Sequence, residues 1–434
     1  MSFPRYPAYK DSGVEWLGSV PTTWSVGRLK RHFRLLTEKA ESKSNPVALE
    51  NIESWTGQFT ASYTQFEGDG VRFETGDILF GKLRPYLAKV LLAPWPGEAV
   101  GDFHVLRAAE GMFPRFAQYC MLTRSFIDIV DGSTFGSKMP RANWEFMGEM
   151  SFPVPSASEQ AIVATFLDHE TAKIDALVAE QEQLITLLKE KRQAVISHAV
   201  TKGLDPSVPM KDSGVEWLGA VPEHWEVSPL KRHWIATDCK HITAEFVEDG
   251  FPLASIREVQ SRWVDLGDAK RTTEYFYSLL IEGDRDPRPG DLIFSRNATV
   301  GEIAQVSSGH PPFAMGQDVV LLRRNYETAS PDFLQLVVRS PVVTQQLALC
   351  MIGSTFKRIN VEEIRTLLIA FPPPAEQAAI AGFLLTQIEQ FEQLIDEAVL
   401  AIELLLERRS ALISAAVTGQ IDVRGLIPAQ AQVA

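Results

Sequence analysis

The nine residues KDSGVEWLG at 10–18 recur without a change at 211–219. The match continues as SVPTTW at 19–24 against AVPEHW at 220–225, and LKRH at 29–32 returns at 230–233, all at an offset of 201 residues. Composition does not produce such identity, so one half of the chain is a copy of the other. Farther along, the offset drifts. TGDILF (75–80) pairs with PGDLIF (289–294), DFHVLR (102–107) with DVVLLR (318–323), and GSTF (132–135) with GSTF (353–356), at offsets of 214, 216 and 221. A last block then holds a constant offset of 217, from EQAIVATFL (159–167) against EQAAIAGFL (376–384) to AVT at 199–201 and 416–418. Each half therefore has a fixed opening, a middle of variable length and an ungapped end.

The ungapped block predicts a long helix in each half. Its apolar residues follow a seven-residue period: Val163, Leu167, Ile174, Leu177, Leu184, Leu188 and Val195, then Ile380, Leu384, Phe391, Leu394, Ala398, Ala401, Leu405 and Leu412. Val178, Ile185, Ile395 and Ile402 widen the stripe. This is the pattern of helices packed along a shared seam. Ser156 and Glu159 have capping-box spacing, and Gly203 and Gly419 stand where the helices should stop. The middles read as mixed. Strands are expected at 77–83, 88–93, 103–108, 291–296 and 318–324, and helices at 115–130 and 332–350. If a pseudo-twofold axis relates the halves, the second long helix ends beside the N-terminal opening segment, and the chain termini are neighbours.

With 434 residues, 45% apolar and 22% charged, the chain is long enough for two or three globular domains. It has no apolar run of membrane-spanning length and no hydrophobic signal core at its start, so a cytoplasmic protein is expected. Cys120, Cys239 and Cys350 are too scattered for a disulfide framework or a zinc site. GDILFGKL at 76–83 fits the start of a phosphate-binding loop, but Leu83 replaces the metal-binding hydroxyl and Pro85 forbids the helix that should follow. No methyltransferase or nuclease motif assembles, and the eight histidines lack ligand-spaced companions. The reading is of a chain without catalytic residues, metal or cofactor of its own.

Two similar heads on stiff helices suit a protein that contacts two separated sites, and half-sites on duplex DNA are such a ligand. A net charge of −13 argues against it. The acidity is unevenly placed, however: residues 1–150 are balanced at 17 basic and 17 acidic, while the two long-helix segments, 151–205 and 374–434, carry 8 and 16. Basic or amide residues recur after matched motifs. Lys82 and Arg84 follow the first GD-strand, and Arg296 and Asn297 the second; Lys138 and Arg141 follow the first GSTF, and Lys357 and Arg358 the second. Arg and Asn can pair bidentately with guanine and adenine edges, and Lys fixes phosphates. Gln58, Thr60, Tyr63, Arg257 and Lys270 are weaker candidates. Trp16, Trp24, Trp217 and Trp225 are expected to pack the opening segments rather than stack on bases.

Together, the opening segment KDSGVEWLGxVPxxW with LKR, the repeated GD-[IL]-[IL]-F strand, GSTF and the P-x(2–3)-EQ start of a long helix resemble the specificity subunits of type I restriction–modification systems. The likeness runs over about residues 8–420. It implies an α+β fold in which two similar mixed α/β target-recognition domains are separated by a long antiparallel two-helix coiled coil with a pseudo-twofold internal repeat. The expected divisions are 1–155, 156–202, 203–373, 374–419 and a tail at 420–434. Each domain would read one half of a split, asymmetric DNA target. Leu167, Ile174, Leu177, Leu184, Leu188, Val195, Leu384, Phe391, Leu394, Leu405 and Leu412 would form the helix seam and dock partners. Those partners would be two methyltransferase subunits and the restriction motor-nuclease subunits, which would hold S-adenosylmethionine, ATP and Mg. The competing reading is a coiled-coil adaptor that joins two proteins and never meets DNA.

Overall fold

The computed structural model describes residues 3–40, 45–61, 70–134, 139–351 and 358–426. The chain divides into two compact units, residues 1–182 with 399–434, and residues 183–398. Two long helices, α1 (Ala157–Lys202) and α2 (Pro374–Val417), each contribute one half to either unit. The units thus cut across the divisions expected from sequence, because each half-helix packs on the head beside it.

In the first unit, β1 (Phe33–Leu36), β2 (Ile78–Gly81), β3 (Val90–Leu92) and β4 (Phe103–Ala108) form an antiparallel sheet of order β1-β4-β2-β3. In the second unit, β5 (Trp234–Asp238), β6 (Leu292–Ser295), β7 (Ile303–Gln305) and β8 (Val319–Arg324) repeat it as β5-β8-β6-β7. The register repeats too: Ile78 faces Leu106 as Leu292 faces Leu322. Every residue of β2 and β6 is buried, because successive side chains point to opposite faces and both faces are covered. Ile78 and Phe80 join a core with Phe116 and Phe126, whereas Leu79 between them joins another with Val47 and Phe73. The helical stretches expected at 115–130 and 332–350 are each two helices, Pro114–Met121 with Arg124–Gly132, and Pro331–Val338 with Pro341–Cys350. Thr123 makes the first break, its hydroxyl accepting the Phe126 N–H at 3.4 Å, and Pro341 starts a new helix at the second.

The opening segments fold as hairpins, Tyr9–Asp11 with Ser19–Pro21 and Met210–Asp212 with Ala220–Pro222. Trp24 and Trp225 are fully buried behind them, each worth roughly 1.5–3 kcal/mol as a buried large apolar side chain. Gly419, at φ 73°, ends α2 against this segment of the first unit; a Cβ there would lie 2.4 Å from Pro21 Cδ. The segments at the two ends of the described chain meet, the Asp422 N–H donating to the Pro4 carbonyl at 2.8 Å and the Arg424 guanidinium lying over the Tyr6 ring. In the second unit, Gly203 at φ 75° ends α1 beside Trp225.

The two helices run antiparallel. In the first unit the early part of α1 (Val163, Leu167, Ile174) shares a core with the end of α2 (Leu412, Ala416, Val417). In the second unit the end of α1 (Ile196, Ala199, Val200) shares one with the start of α2 (Ile380, Ala381, Leu384). Alternating steps of four and three from Leu167 to Ala199, and from Leu384 to Ala416, land only on buried or half-buried residues. That seam includes Leu167, Ile174, Leu188, Val195, Leu384, Phe391, Leu405 and Leu412, but passes through Val178, Ile185, Ile395 and Ile402. Leu177, Leu184 and Leu394 lie outside it, 44%, 42% and 47% exposed. One residue along a helix turns the side chain by about 100°, so a leucine next to a seam position leaves the seam. Arginines occupy two seam positions at the repeat offset. Arg409 Nε bonds Asp175 at 2.8 Å within the first unit, and Arg192 lies 3.8 Å from Glu392 within the second.

Candidate nucleic-acid interface

The matched loops after β2 and β6 are built alike in the two heads. In the first, the backbone of Lys82 donates to the Asp102 carbonyl at 2.8 Å, and the Ala142 N–H donates back to the Lys82 carbonyl at 2.7 Å. The Asp102 carboxylate then holds two cations, Arg141 at 3.0 and 3.1 Å and Lys82 Nζ at 3.6 Å. This carboxylate raises the Arg141 pKa above its usual value. Leu83 and Arg141 form a bridge between the two loop segments. Arg84 adopts a left-handed conformation (φ 50°), and its exposed side chain makes no hydrogen bond or ion pair with the described residues.

In the second head, the Arg296 N–H donates to the Asp318 carbonyl at 3.0 Å, and the Ile359 N–H donates to the Arg296 carbonyl at 2.9 Å. The Asp318 carboxylate accepts from Asn297 Nδ2 at 3.1 Å and lies 3.6 Å from Arg358, while Asn297 and Arg358 form the matching bridge. These bonds carry the strand's offset of 214 into the loop. Arg296 is the counterpart of Lys82, Asn297 of Leu83, Arg358 of Arg141, and Ala298 (φ 56°) of Arg84. The sequence match had no view of Asp102 and Asp318 as anchors, although both open the repeated DFHVLR and DVVLLR runs.

Arg296 differs from the expected exposed contact. It is 4% exposed, its guanidinium 3.1 Å from His241 Nε2 and 3.6 Å from Asp238 Oδ1. Only a rearranged loop would bring it to a ligand, so it acts here as a wall of the loop. Asp238, Cys239 and His241 have potential metal-ligating atoms within 4.8 Å of one another. A cation placed there would be repelled by the Arg296 guanidinium, which lies 3.1 Å from His241 Nε2 and 3.6 Å from Asp238 Oδ1, and burial raises the Cys239 pKa. Lys138, Lys357, Tyr63, Phe135 of the first GSTF motif and the whole of the second lie outside the described residues. Gln58 turns to Asp175 at 3.4 Å. His104, in β4, bonds the Ala142 carbonyl at 3.0 Å, and burial lowers its pKa.

Each head thus presents, at the same corner of the same sheet, an aspartate that spreads two polar side chains. The chemistry differs: Lys and Arg in one head, Asn and Arg in the other. Among the described residues, no helix is long and apolar enough to cross a membrane.

Comparison with known proteins agrees with this architecture. The Type I restriction modification DNA specificity domain matches over residues 282–401. The Type I restriction enzyme EcoKI specificity subunit of Escherichia coli (strain K12) is 25% identical over 284 residues, 64% of this chain and 59% of the relative. The chain spans about half the length of the curated relatives it matches. Among solved structures, a chain from a study of complex assembly and conformational transition of the type I R-M system superposes with a TM-score of 0.71 at 16% identity, covering 92% of this chain and 98% of that one. The HsdS subunit from Thermoanaerobacter tengcongensis gives a TM-score of 0.54 at 17% identity, covering 93% and 98%. At these identities the two structures show a shared fold.

Proposed function

We propose that this chain is a specificity subunit of a type I restriction–modification system, a reading supported by the matching domain and the relatives, and that its two heads read the two unlike halves of one split DNA target. The observation that carries this is the Asp-anchored loop found in both heads, with Lys82 and Arg141 on Asp102 and with Asn297 and Arg358 on Asp318. Conserved geometry with changed side chains is what two readers of different sequences require, since base edges are distinguished by donor and acceptor pattern. Arg84, Lys82, Arg141, Asn297 and Arg358 are the proposed contacts, joined by Lys138 and Lys357. The chain supplies recognition, and partner subunits supply adenine methylation with S-adenosylmethionine and ATP-dependent cleavage with Mg.

The long helices dock those partners. Leu177 and Leu184 on α1, and Leu394, Leu400 and Leu404 on α2, are 42–57% exposed. Exposed leucines outside a seam that is already filled suit a second apolar contact. Leu177 and Leu394 stand at the repeat offset of 217, which supports two equivalent docking places for two methyltransferase subunits.

The test is a domain exchange. Residues 25–150 are replaced by those of a relative, and the host methylome is sequenced with each version. The expected result is a change in one half of a bipartite methylated sequence with the other half intact. A change in both halves, or methylation with no bipartite pattern, would refute the reading. An adaptor that never meets DNA predicts no sequence dependence in either version.

A further inference from the structure

The second unit contains a cavity of about 460 Å³ beside its Asp318 loop, within the ~300–1,000 Å³ typical of small-ligand sites. Its floor is apolar, formed by Leu253, Leu280 and Met315, and Thr243, Glu258 and Gln317 supply polar groups. Gln317 precedes the anchor Asp318, and its amide reaches Thr243 Oγ1 at 3.4 Å, tying two walls together. Ile242, also in the lining, follows the His241 that contacts Arg296. The cavity therefore shares a wall with the proposed reading loop.

We infer that this cavity receives one nucleobase bearing an exocyclic amino group, unstacked from the half-site that the second unit reads. The inference rests on the DNA-reading function above. Base edges still in the stack are reached by side chains that project into a groove. A concave site with an apolar floor and inward polar groups suits a base that has left the stack. The acceptor for the amino group is Glu258, whose side chain is 8% exposed. Its Oε2 accepts the Ser255 N–H at 2.8 Å, and its Oε1 has the Arg257 guanidinium 3.6 Å away. A carboxylate is a matching acceptor for an amino group such as cytosine N4, and the Gln317 amide offers a donor and an acceptor to the rest of the base edge. The half-exposed Phe246 ring at the rim, with Lys270 Nζ 4.3 Å from its centroid, adds an aromatic edge and a cation for the backbone.

The first unit lacks both polar groups. Ala254 pairs with Met315 as Val47 pairs with Ala99, which makes Asn51 the counterpart of Glu258 and Gly101 that of Gln317. Asn51 Oδ1 accepts the Ala48 N–H at 2.9 Å, the same bond that Glu258 makes, but its other atom, Nδ2, lies 3.4 Å from the Thr60 carbonyl. The backbone-capping role is shared, and the second carboxylate oxygen, Oε1, belongs to the second unit. Glu258→Gln keeps the capping oxygen, as an amide does in the first unit, and removes the negative charge.

The experiment uses the full chain in complex with its methyltransferase partner on duplexes randomised across the target, with wild type, E258Q and Q317A compared. The expected result is at least a tenfold loss of base preference at one unmethylated position of the second half-site, with the first half-site unchanged. A 2-aminopurine placed next to that position brightens on binding wild type and stays quenched with E258Q. Unaltered preference at every position in both variants overturns the inference, as does altered preference with no 2-aminopurine signal for wild type. Free dCMP or dAMP raising the Tm of the chain while the duplex positions stay unaltered also overturns it, because the cavity would then serve a diffusible nucleotide. Absence of any bipartite preference in wild type is a separate outcome that refutes the function itself.

Discussion

Asp102 and Asp318 decide what the neighbouring side chains can do. Lys82 and Arg141 are half-neutralised by Asp102, whereas the exposed Arg84, on a left-handed backbone, makes no ion pair with an acidic residue among the described residues. Arg84→Ala is expected to weaken duplex binding and to lower the slope of log K against log salt by about one, the loss of a single phosphate contact. A salt titration of binding by the assembled complex checks this. Arg296→Ala is expected to act on stability instead. It strips a buried guanidinium from Asp238 and His241, costing about 1–3 kcal/mol for groups left without partners, measured by chemical unfolding. The sequence placed both arginines after the same strand, and only geometry separates them. The loop keeps the strand's offset of 214, so the exposed place falls on Arg84 in one head and on Ala298 in the other.

At the scale of the helix, period and offset made the long elements legible, and the ungapped copies explain why. A seam shared by two helices tolerates no shift of one relative to the other. Two things stayed hidden. Leucines at Leu177, Leu184 and Leu394 looked like seam residues by composition alone, yet lie a residue away from it, and the seam itself contains charge. Arg409 is 7% exposed and bonds both Asp175 and the Trp55 carbonyl at 3.3 Å. Its repeat counterpart Arg192 reaches a more exposed Glu392 at 3.8 Å. Arg409→Ala should therefore cost about 3–5 kcal/mol, as for a buried pair broken from one side, and Arg192→Ala at most about 1 kcal/mol, as for an exposed pair. Comparing unfolding midpoints of the two variants checks the asymmetry; equal losses would contradict it.

Over the whole molecule, the duplication was readable because its opening segments and long helices kept their residues, whereas the stretch around 240–285 shares too few residues with its counterpart in the first half to be matched by sequence. That the segments near the two ends would be neighbours was predictable from the repeat, and Pro4 and Tyr6 do meet Asp422 and Arg424. Joining the ends by a short linker and opening the chain in the exposed stretch near Asp205 should give a permuted protein with Tm within a few degrees of the original, checked by calorimetry. The same arrangement bears on how the chain is made. The second unit is one continuous stretch, 183–398. The first unit needs Leu412, Ile413, Ala416, Val417 and Val423 for its core. The head whose sequence comes first is thus completed only after residues 412–423 have been made, its apolar flank bare until then, and it is the natural client of any chaperone that attends synthesis.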